Sequence, residues 1–282
     1  MADRGVRVRG VRKTFHAFRR VQTVLAGIDL DLAPGEVVGL IGPNGAGKTT
    51  LMSCLLGFLR PDDGTITFDG RRNDDLPIRC RTGFVPERMN LGRRATGWQF
   101  LRYMARLSGM PRADVDRRGH AMLERLGMTA AANQSLGQYS RGMLQRIALC
   151  QALIHEPDFL FLDEPASGLD PNGVLLVRDL ITEEKKRGAM VLLNSHQLAE
   201  VEKVCDRVLF LHNGVIERAE TLRHTDQVVV AIRFLGGETM VVSGADEAEI
   251  AAIVRRLITS GKDIVDVRPY TADLEGIFRG VS

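Results

Sequence analysis

The feature that most constrains the fold of this chain is a glycine-rich loop set between a short strand and a helix. Val37–Ile41 is apolar and has the length of a buried strand, and the following spacing predicts a helix from Lys48 to about residue 56. The loop fits the pattern G-x-x-x-x-G-K-[ST] and reads Gly42-Pro43-Asn44-Gly45-Ala46-Gly47-Lys48-Thr49-Thr50. A strand, a loop of this kind and a helix together predict an α/β fold built on a mainly parallel sheet.

This loop also predicts a binding chemistry. Its glycines allow successive backbone N–H groups to point inward at phosphate oxygens, and the start of the helix adds a positive dipole end. The Lys48 ammonium reaches the β- and γ-phosphates of a nucleotide, and the Thr49 hydroxyl can ligate Mg²⁺. A glycine-rich turn that only connects strand to helix is the alternative, and the two correct flanking elements argue against it.

A second apolar strand ends in two acids. Phe159–Leu162 is followed directly by Asp163 and Glu164. Asp163 is placed to hold Mg²⁺ through a water molecule, and Glu164 can act as a general base on an attacking water. Alone, such a run is a common transition from strand to loop, but its combination with the glycine-rich loop favours the functional interpretation.

The rest of the chain alternates strands and helices. We predict a mainly helical insertion over about residues 88–155 and antiparallel edge strands at 6–11 and 28–32. The strand rhythm restarts after about residue 220 and ends in a short last helix. This predicts two domains, a larger one over 1–218 and a small α+β domain over 219–282.

Composition excludes several other classes. No apolar run approaches the ~20 residues that a membrane-spanning helix needs, and the charged N-terminus lacks the apolar core of a signal peptide. Four cysteines without C-x-x-C spacing are typical of reduced thiols in a cytoplasmic protein: Cys54, Cys80, Cys150 and Cys205. We therefore expect the chain to remain in the cytoplasm.

Five ordered motifs resemble those of the ATP-binding-cassette (ABC) ATPases. Besides the glycine-rich loop and the strand ending in Asp163-Glu164, three further stretches carry the resemblance: Tyr139-Ser140-Arg141-Gly142-Met143-Leu144-Gln145-Arg146, similar to the signature motif; Pro165-Ala166-Ser167-Gly168-Leu169-Asp170, similar to the D-loop; and Leu193-Asn194-Ser195-His196, similar to the switch-histidine loop. In addition, Phe15 stands where the family has an aromatic residue that stacks on adenine. The resemblance covers about residues 4–218 and implies a P-loop NTPase of the ABC cassette fold.

The resemblance implies a mechanism. Two cassettes, here most simply a homodimer, close head to tail around two molecules of ATP with Mg²⁺. Ser140 and Gly142 would face the γ-phosphate held by the partner, Asp170 would act across the interface, and His196 would contact the γ-phosphate and the water. Glu87 takes the place of a glutamine that ligates Mg²⁺ in most members.

Two departures from the usual pattern point to one subgroup. The signature stretch resembles the Y-S-[KR]-G-M form, and Glu87 replaces glutamine, both as in single-cassette ATPases of ABC-2 type exporters. This implies an ATPase that powers a separate integral-membrane permease from the cytoplasmic face of the membrane. The alternative is a regulatory ABC ATPase acting on ribosomes or DNA. The chain has one cassette, no long coiled-coil insertion and no zinc-binding cysteines, so we expect no nucleic-acid partner.

The helical insertion leaves two interpretations open. Met89, Trp98 and Phe100 could line a groove for a permease helix, with neighbouring arginines near anionic groups. The same residues could instead pack the core of the insertion. The C-terminal domain, whose end resembles a tail common after ABC-2-like cassettes, implies an accessory role in dimerisation or regulation.

Overall fold

The computed structural model describes residues 4–17, 20–89, 92–222, 228–245 and 247–269. The chain divides between Thr221 and Leu222 into two compact units. Within the described residues, no helix is long and apolar enough to cross a membrane.

The first unit is built on a six-stranded sheet with the order β10-β9-β3-β8-β7-β6. Its strands are β3 (Val37–Ile41), β6 (Thr82–Val85), β7 (Phe159–Asp163), β8 (Met190–Asn194), β9 (Arg207–His212) and β10 (Val215–Thr221). All neighbours are parallel except β10, which runs antiparallel to β9. Every residue of β3, β7 and β8 is buried, as expected for strands covered on both faces. The predicted mainly parallel α/β sheet is therefore confirmed.

A second, antiparallel sheet has the order β2-β1-β4-β5. It consists of β1 (Val6–Ala17), β2 (Arg20–Leu32), β4 (Asp63–Phe68) and β5 (Arg71–Arg72). The predicted strands at 6–11 and 28–32 are parts of longer strands. The remaining parts pair with each other, Phe15 opposite Gln22, and were missed because apolar and polar residues do not alternate regularly along them.

Helices cover the parallel sheet. They are α1 (Lys48–Leu55), α2 (Leu76–Arg79), α6 (Pro171–Arg187) and α7 (Leu198–Val204). Apolar side chains of α1, such as Leu51 and Leu55, join strand residues Leu40 and Phe161 in one core. Burial of these side chains fixes α1, and with it the glycine-rich loop, against the sheet.

The predicted helical insertion contains α3 (Gly97–Leu107), α4 (Arg112–Arg125) and α5 (Arg141–Leu153). Two short 3₁₀ turns at Thr129–Ala131 and Leu136–Gln138 lead into α5. Thr96 and Gln99 form a capping box that starts α3. The Trp98 ring lies 4.4 Å from the His120 ring and so close to Gly119 that a Cβ there would be 2.5 Å from it. These contacts support the packing interpretation for Trp98.

We expect Trp98→Ala to lower the free energy of unfolding by about 2 kcal/mol, since it removes the ring between α3 and α4 and leaves a cavity. In a unit of this size the corresponding fall in Tm is about 4–8 °C, measurable by thermal melting. Tyr103→Ala is the control, because that side chain is 63% exposed on the same helix and should change Tm little. An unchanged Tm for Trp98→Ala would argue against the packing role.

The second unit holds a three-stranded antiparallel sheet of order β12-β11-β13 and one helix. The elements are β11 (Val228–Phe234), β12 (Thr239–Ala245), α8 (Glu247–Thr259) and β13 (Ile264–Pro269). Its core joins Val230, Ile232 and Phe234 to apolar residues of α8, including Ile253 and Leu257. The predicted short last helix lies outside the described residues.

Candidate functional site

The glycine-rich loop joins the end of β3 to the start of α1. Gly45 and Gly47 adopt φ values of 85° and 108°, which are strained for any residue with a side chain. A Cβ on Gly42 would overlap the carbonyl oxygen of Leu211 at the neighbouring strand. Glycine therefore stands where the backbone turns and where it passes close to β9. The loop lies at the C-terminal edge of the parallel strands, which is where ligands of open α/β sheets bind.

Lys48, the first residue of α1, folds its side chain over this loop. Its Nζ donates hydrogen bonds to the carbonyl oxygens of Gly42 at 2.6 Å and Pro43 at 3.0 Å. Burial lowers the pKa of the Lys48 ammonium, and the nearby carboxylates of Glu164 and Asp163 oppose that effect. The structure therefore brings Lys48, Asp163 and Glu164 together, although 115 positions separate the lysine from the first acid in the sequence.

Asp163 is the last residue of β7 and is buried. Its Oδ1 accepts a hydrogen bond from Asn194 Nδ2 at 2.6 Å, at the end of the adjacent strand β8. Burial raises the pKa of the Asp163 carboxyl; the hydrogen bond from Asn194 lowers it, the carboxylates of Glu164 and Glu87 raise it, and the Lys48 charge lowers it. A cation at the Asp163 carboxylate would offset the repulsion that it feels from the other two carboxylates.

Glu164 directly follows β7 in an unusual backbone conformation, with φ 50°. Its N–H donates to the Asn194 carbonyl at 2.9 Å. Its Oε1 accepts a hydrogen bond from the His196 backbone N–H at 2.9 Å and lies 2.8 Å from His196 Nδ1, and Ser195 Oγ is 3.5 Å from Oε2. The Glu164 side chain is 12% exposed and the His196 side chain is 75% exposed. A carboxylate that is largely shielded from solvent thus contacts an imidazole that faces solvent.

Ser140, Gly142 and Asp170 form a separate group. Ser140 caps α5, its Oγ accepting from the Met143 N–H at 3.2 Å, and Asp170 caps α6 and forms an ion pair with Arg146 at 3.1 Å. A Cβ on Gly142 would lie 3.2 Å from the Gly168 carbonyl oxygen. In the described part of the chain, no hydrogen bond or ion pair joins this group to the glycine-rich loop.

Phe15 and Glu87, two further predicted site residues, are both exposed. Phe15 is 42% exposed on β1, and the Lys13 ammonium lies 5.8 Å from the centre of its ring. Glu87 follows β6, is half exposed and lies 3.5 Å from Arg88 Nε. Its carboxylate charge is one of the smaller causes that raise the pKa of Asp163, after burial.

The sequence motifs include two buried residues, Asn194 and Gln145, to which sequence reasoning assigned no role. Asn194 orients Asp163 and accepts from the Glu164 N–H, and its Oδ1 is buried without a hydrogen-bond partner. The amide of Gln145 donates to the backbone next to Glu164. For Asn194, a polar residue at the end of the apolar strand β8 could have indicated a role at the site. For Gln145, the corresponding signal was a glutamine one turn after the start of α5.

The described residues contain no cluster of three or more His, Cys, Asp or Glu side chains arranged to enclose a metal ion. A cation held by the Asp163 carboxylate would complete its coordination sphere with water and oxygens of a bound ligand. Mg²⁺ has this preference, because it usually keeps several waters and binds through one or two carboxylates and substrate phosphates.

Comparison with known proteins agrees with this geometry. Residues 25–167 match the family model described as ABC transporter. YdbJ of Bacillus subtilis, an ABC transporter ATP-binding protein, is 34% identical over 90% of this chain and 89% of its own length. The ABC transporter ATP-binding protein all4389 of Nostoc sp. is 43% identical over 67% of this chain and 57% of its own length. The chain thus spans less than two thirds of the length of that relative. The linearmycin resistance ATP-binding protein LnrL of B. subtilis is 32% identical over 82% of this chain and 74% of its own length.

Solved structures show the same fold. An ATP-binding subunit of an ABC transporter has 31% identity and a TM-score of 0.72, covering 77% of this chain and 90% of its own. The chain is also similar to the dimeric cassette MJ0796 in a post-hydrolysis state bound to ADP and Pi, at 25% identity and a TM-score of 0.69; that match covers 78% of this chain and all of the other. The chain therefore belongs to the ABC transporter family of ATP-binding proteins, and its fold is that of an ABC ATPase cassette.

Proposed function

We propose that this chain is the ATP-hydrolysing subunit of an ABC exporter, of the ABC-2 type, that powers a separate membrane permease. The observation that carries the proposal is the position of Glu164, held beside Lys48 and Asp163 and hydrogen-bonded to His196 at the glycine-rich loop. In this proposal residues 1–218 form the cassette and 219–282 an accessory domain.

ATP binding follows from the loop. Its backbone N–H groups and the start of α1 receive the phosphates, with Lys48 moving from the loop carbonyls to the β- and γ-phosphates. Gly42, Pro43, Asn44, Gly45, Ala46, Gly47, Lys48, Thr49 and Thr50 form this cradle, and Phe15 stacks on adenine. Thr49, Asp163 and Glu87 would hold Mg²⁺, which supplies charge neutralisation on the phosphates.

Hydrolysis is assigned to Glu164 and His196. The Glu164 carboxylate takes a proton from a water molecule as that water's oxygen bonds to the γ-phosphorus, and the bond to the bridging oxygen breaks to release ADP and phosphate. His196 contacts the γ-phosphate and orients the water. Its hydrogen bonds to Glu164 hold the carboxylate and the imidazole in a fixed relative position.

We propose that two copies of this chain close head to tail on two ATP molecules. Ser140 and Gly142 belong to a group apart from the glycine-rich loop of their own chain, which suits them to the γ-phosphate held by a second copy. The N-terminus of α5 presents free N–H groups for that contact, and Asp170 would act across the interface. The dimeric structure of the related cassette supports this arrangement.

The exporter assignment rests on relatives and on two sequence variants. LnrL is named a linearmycin resistance ATP-binding protein. The stretch Tyr139-Ser140-Arg141-Gly142-Met143 and Glu87 resemble the forms found in the ABC-2-like group. A permease must then supply the membrane-spanning part, which places the chain at the cytoplasmic face of the membrane.

A pulldown tests this function. We expect the tagged full chain, purified from a membrane fraction of its source cells, to recover a membrane protein with six spanning segments. ATPase activity should rise when the two are combined in proteoliposomes. A tagged unrelated cytoplasmic protein serves as the control. Recovery of ribosomes or DNA instead would contradict the transport role and support the regulatory alternative.

A further inference from the structure

A buried glutamine joins the signature helix to the backbone that carries Glu164. Gln145 lies in the second turn of α5 and is only 4% exposed. Its Nε2 donates to the carbonyl oxygens of Pro165 at 3.0 Å and Glu164 at 3.3 Å. A buried side-chain amide is costly unless its hydrogen bonds are made, so these bonds hold helix and loop together.

The backbone at this point needs such support. Glu164 has φ 50°, in the left-handed region that costs a residue with a Cβ about 1–2 kcal/mol. Conformations of this kind persist where the surroundings over-determine them. Here the Glu164 N–H donates to the Asn194 carbonyl, and the Glu164 carbonyl accepts from the Ser167 N–H at 3.0 Å and from Gln145 Nε2 at 3.3 Å.

The direction of the carboxylate depends on this backbone conformation. Glu164 Oε1 lies 2.9 Å from the His196 backbone nitrogen and 2.8 Å from Nδ1. If Glu164 relaxed into the common right-handed or extended region, its Cα–Cβ bond would point elsewhere and both contacts would be lost. The donor from Gln145 therefore acts on the side chain of Glu164 through the main chain.

Two further contacts set the register of α5 on the same loop. Arg141 donates to Ser167 Oγ at 2.5 Å, and Arg146 forms the ion pair with Asp170. Both are exposed, whereas Gln145 is the buried contact between them and the one that reaches Glu164. Exposed contacts contribute little energy, so among the side chains of α5 the buried amide is the one expected to hold the Glu164 peptide, in addition to the Ser167 N–H of the loop itself.

We propose that Gln145 is a positioning residue for ATP hydrolysis: it holds the Glu164 main chain in the conformation that directs the carboxylate at the attacking water. This rests on the proposed role of Glu164 as base. Gln145 touches neither nucleotide nor water in this assignment, so its loss should affect the chemical step and leave ATP binding intact.

Gln145→Met tests the proposal, because methionine keeps the volume and lacks the donor. We expect kcat for ATP hydrolysis to fall about 30-fold with KM for ATP within twofold of the wild-type value, since a displaced base costs transition-state stabilisation and not ground-state binding. Rates are normalised to the ATP-binding stoichiometry of the folded full chain.

The matched control is Gln151→Met. Gln151 is a second buried glutamine of α5, and its Nε2 donates to the carbonyl oxygen of Phe84 at 2.6 Å, away from Glu164. Both variants should lose similar stability, but Gln151→Met should keep kcat within about twofold. An equal fall of kcat in the two variants, or a rise in KM at unchanged kcat for Gln145→Met, would overturn the proposal.

A second variant covers a failure of Gln145→Met to fold. Gln145→Leu also removes the donor, with a smaller apolar side chain, and it should show the same selective loss of kcat. Full activity in Gln145→Leu would overturn the proposal. A failure of the proposed role of Glu164 gives a different result from a failure of the proposal for Gln145. If Glu164→Gln hydrolyses ATP normally, Glu164 is not the base. If Glu164→Gln is inactive and Gln145→Met is fully active, only the role of Gln145 is removed.

Discussion

Glu164→Gln should reduce ATP turnover by about 1,000-fold, because a general base contributes roughly 10²–10⁴-fold to a rate and the carboxamide cannot accept the proton. The shape of the side chain is kept, and an amide oxygen can still accept from the His196 N–H. We therefore expect ATP affinity to change less than threefold. Steady-state phosphate release and equilibrium nucleotide binding measure the two quantities.

Glu183→Gln is the control for this variant. Glu183 forms an ion pair with Arg125 and its side chain is 54% exposed, so its replacement should leave turnover unchanged. ATP should still drive dimer formation by Glu164→Gln, visible as a shift in size-exclusion chromatography. Normal turnover in Glu164→Gln would be incompatible with the proposed base.

Lys48→Ala should weaken ATP binding about 100-fold. The ammonium is the charged donor at the loop, and charge-assisted hydrogen bonds contribute about 1.5–3 kcal/mol, which is roughly 10- to 150-fold in affinity. Turnover should fall with binding, since without the lysine the γ-phosphate loses both its position and its charge neutralisation. Fluorescent-nucleotide titration measures the affinity directly.

Lys203→Ala provides the comparison. Lys203 lies on α7, half exposed and 3.4 Å from Glu200, and its removal should leave the affinity within twofold. Retention of wild-type affinity by Lys48→Ala would show that the phosphates bind elsewhere, and would remove the basis for placing ATP at the glycine-rich loop.

Local sequence predicted the parts of the fold that have a strong local signal. Val37–Ile41 is a strand with the predicted bounds, and the motif residues Ser140 and Asp170 cap the helices that follow them. These features follow from short-range chemistry: apolar runs that must be buried, and side-chain oxygens that cap free N–H groups. The part of the hairpin around Phe15 was missed because its stability comes from pairing between two strands, which no single stretch reveals.

The sequence by itself determined which groups this protein can use: a phosphate-binding loop with its lysine, two acids at a strand end, and a histidine after another strand. Only the tertiary structure decided how they meet. The order of the parallel strands places Asn194 beside Asp163, and the packing of α5 on the loop brings the Gln145 amide to the Glu164 backbone. These contacts join positions distant along the chain, and their geometry depends on burial and on the backbone conformation of Glu164, which only the folded chain defines.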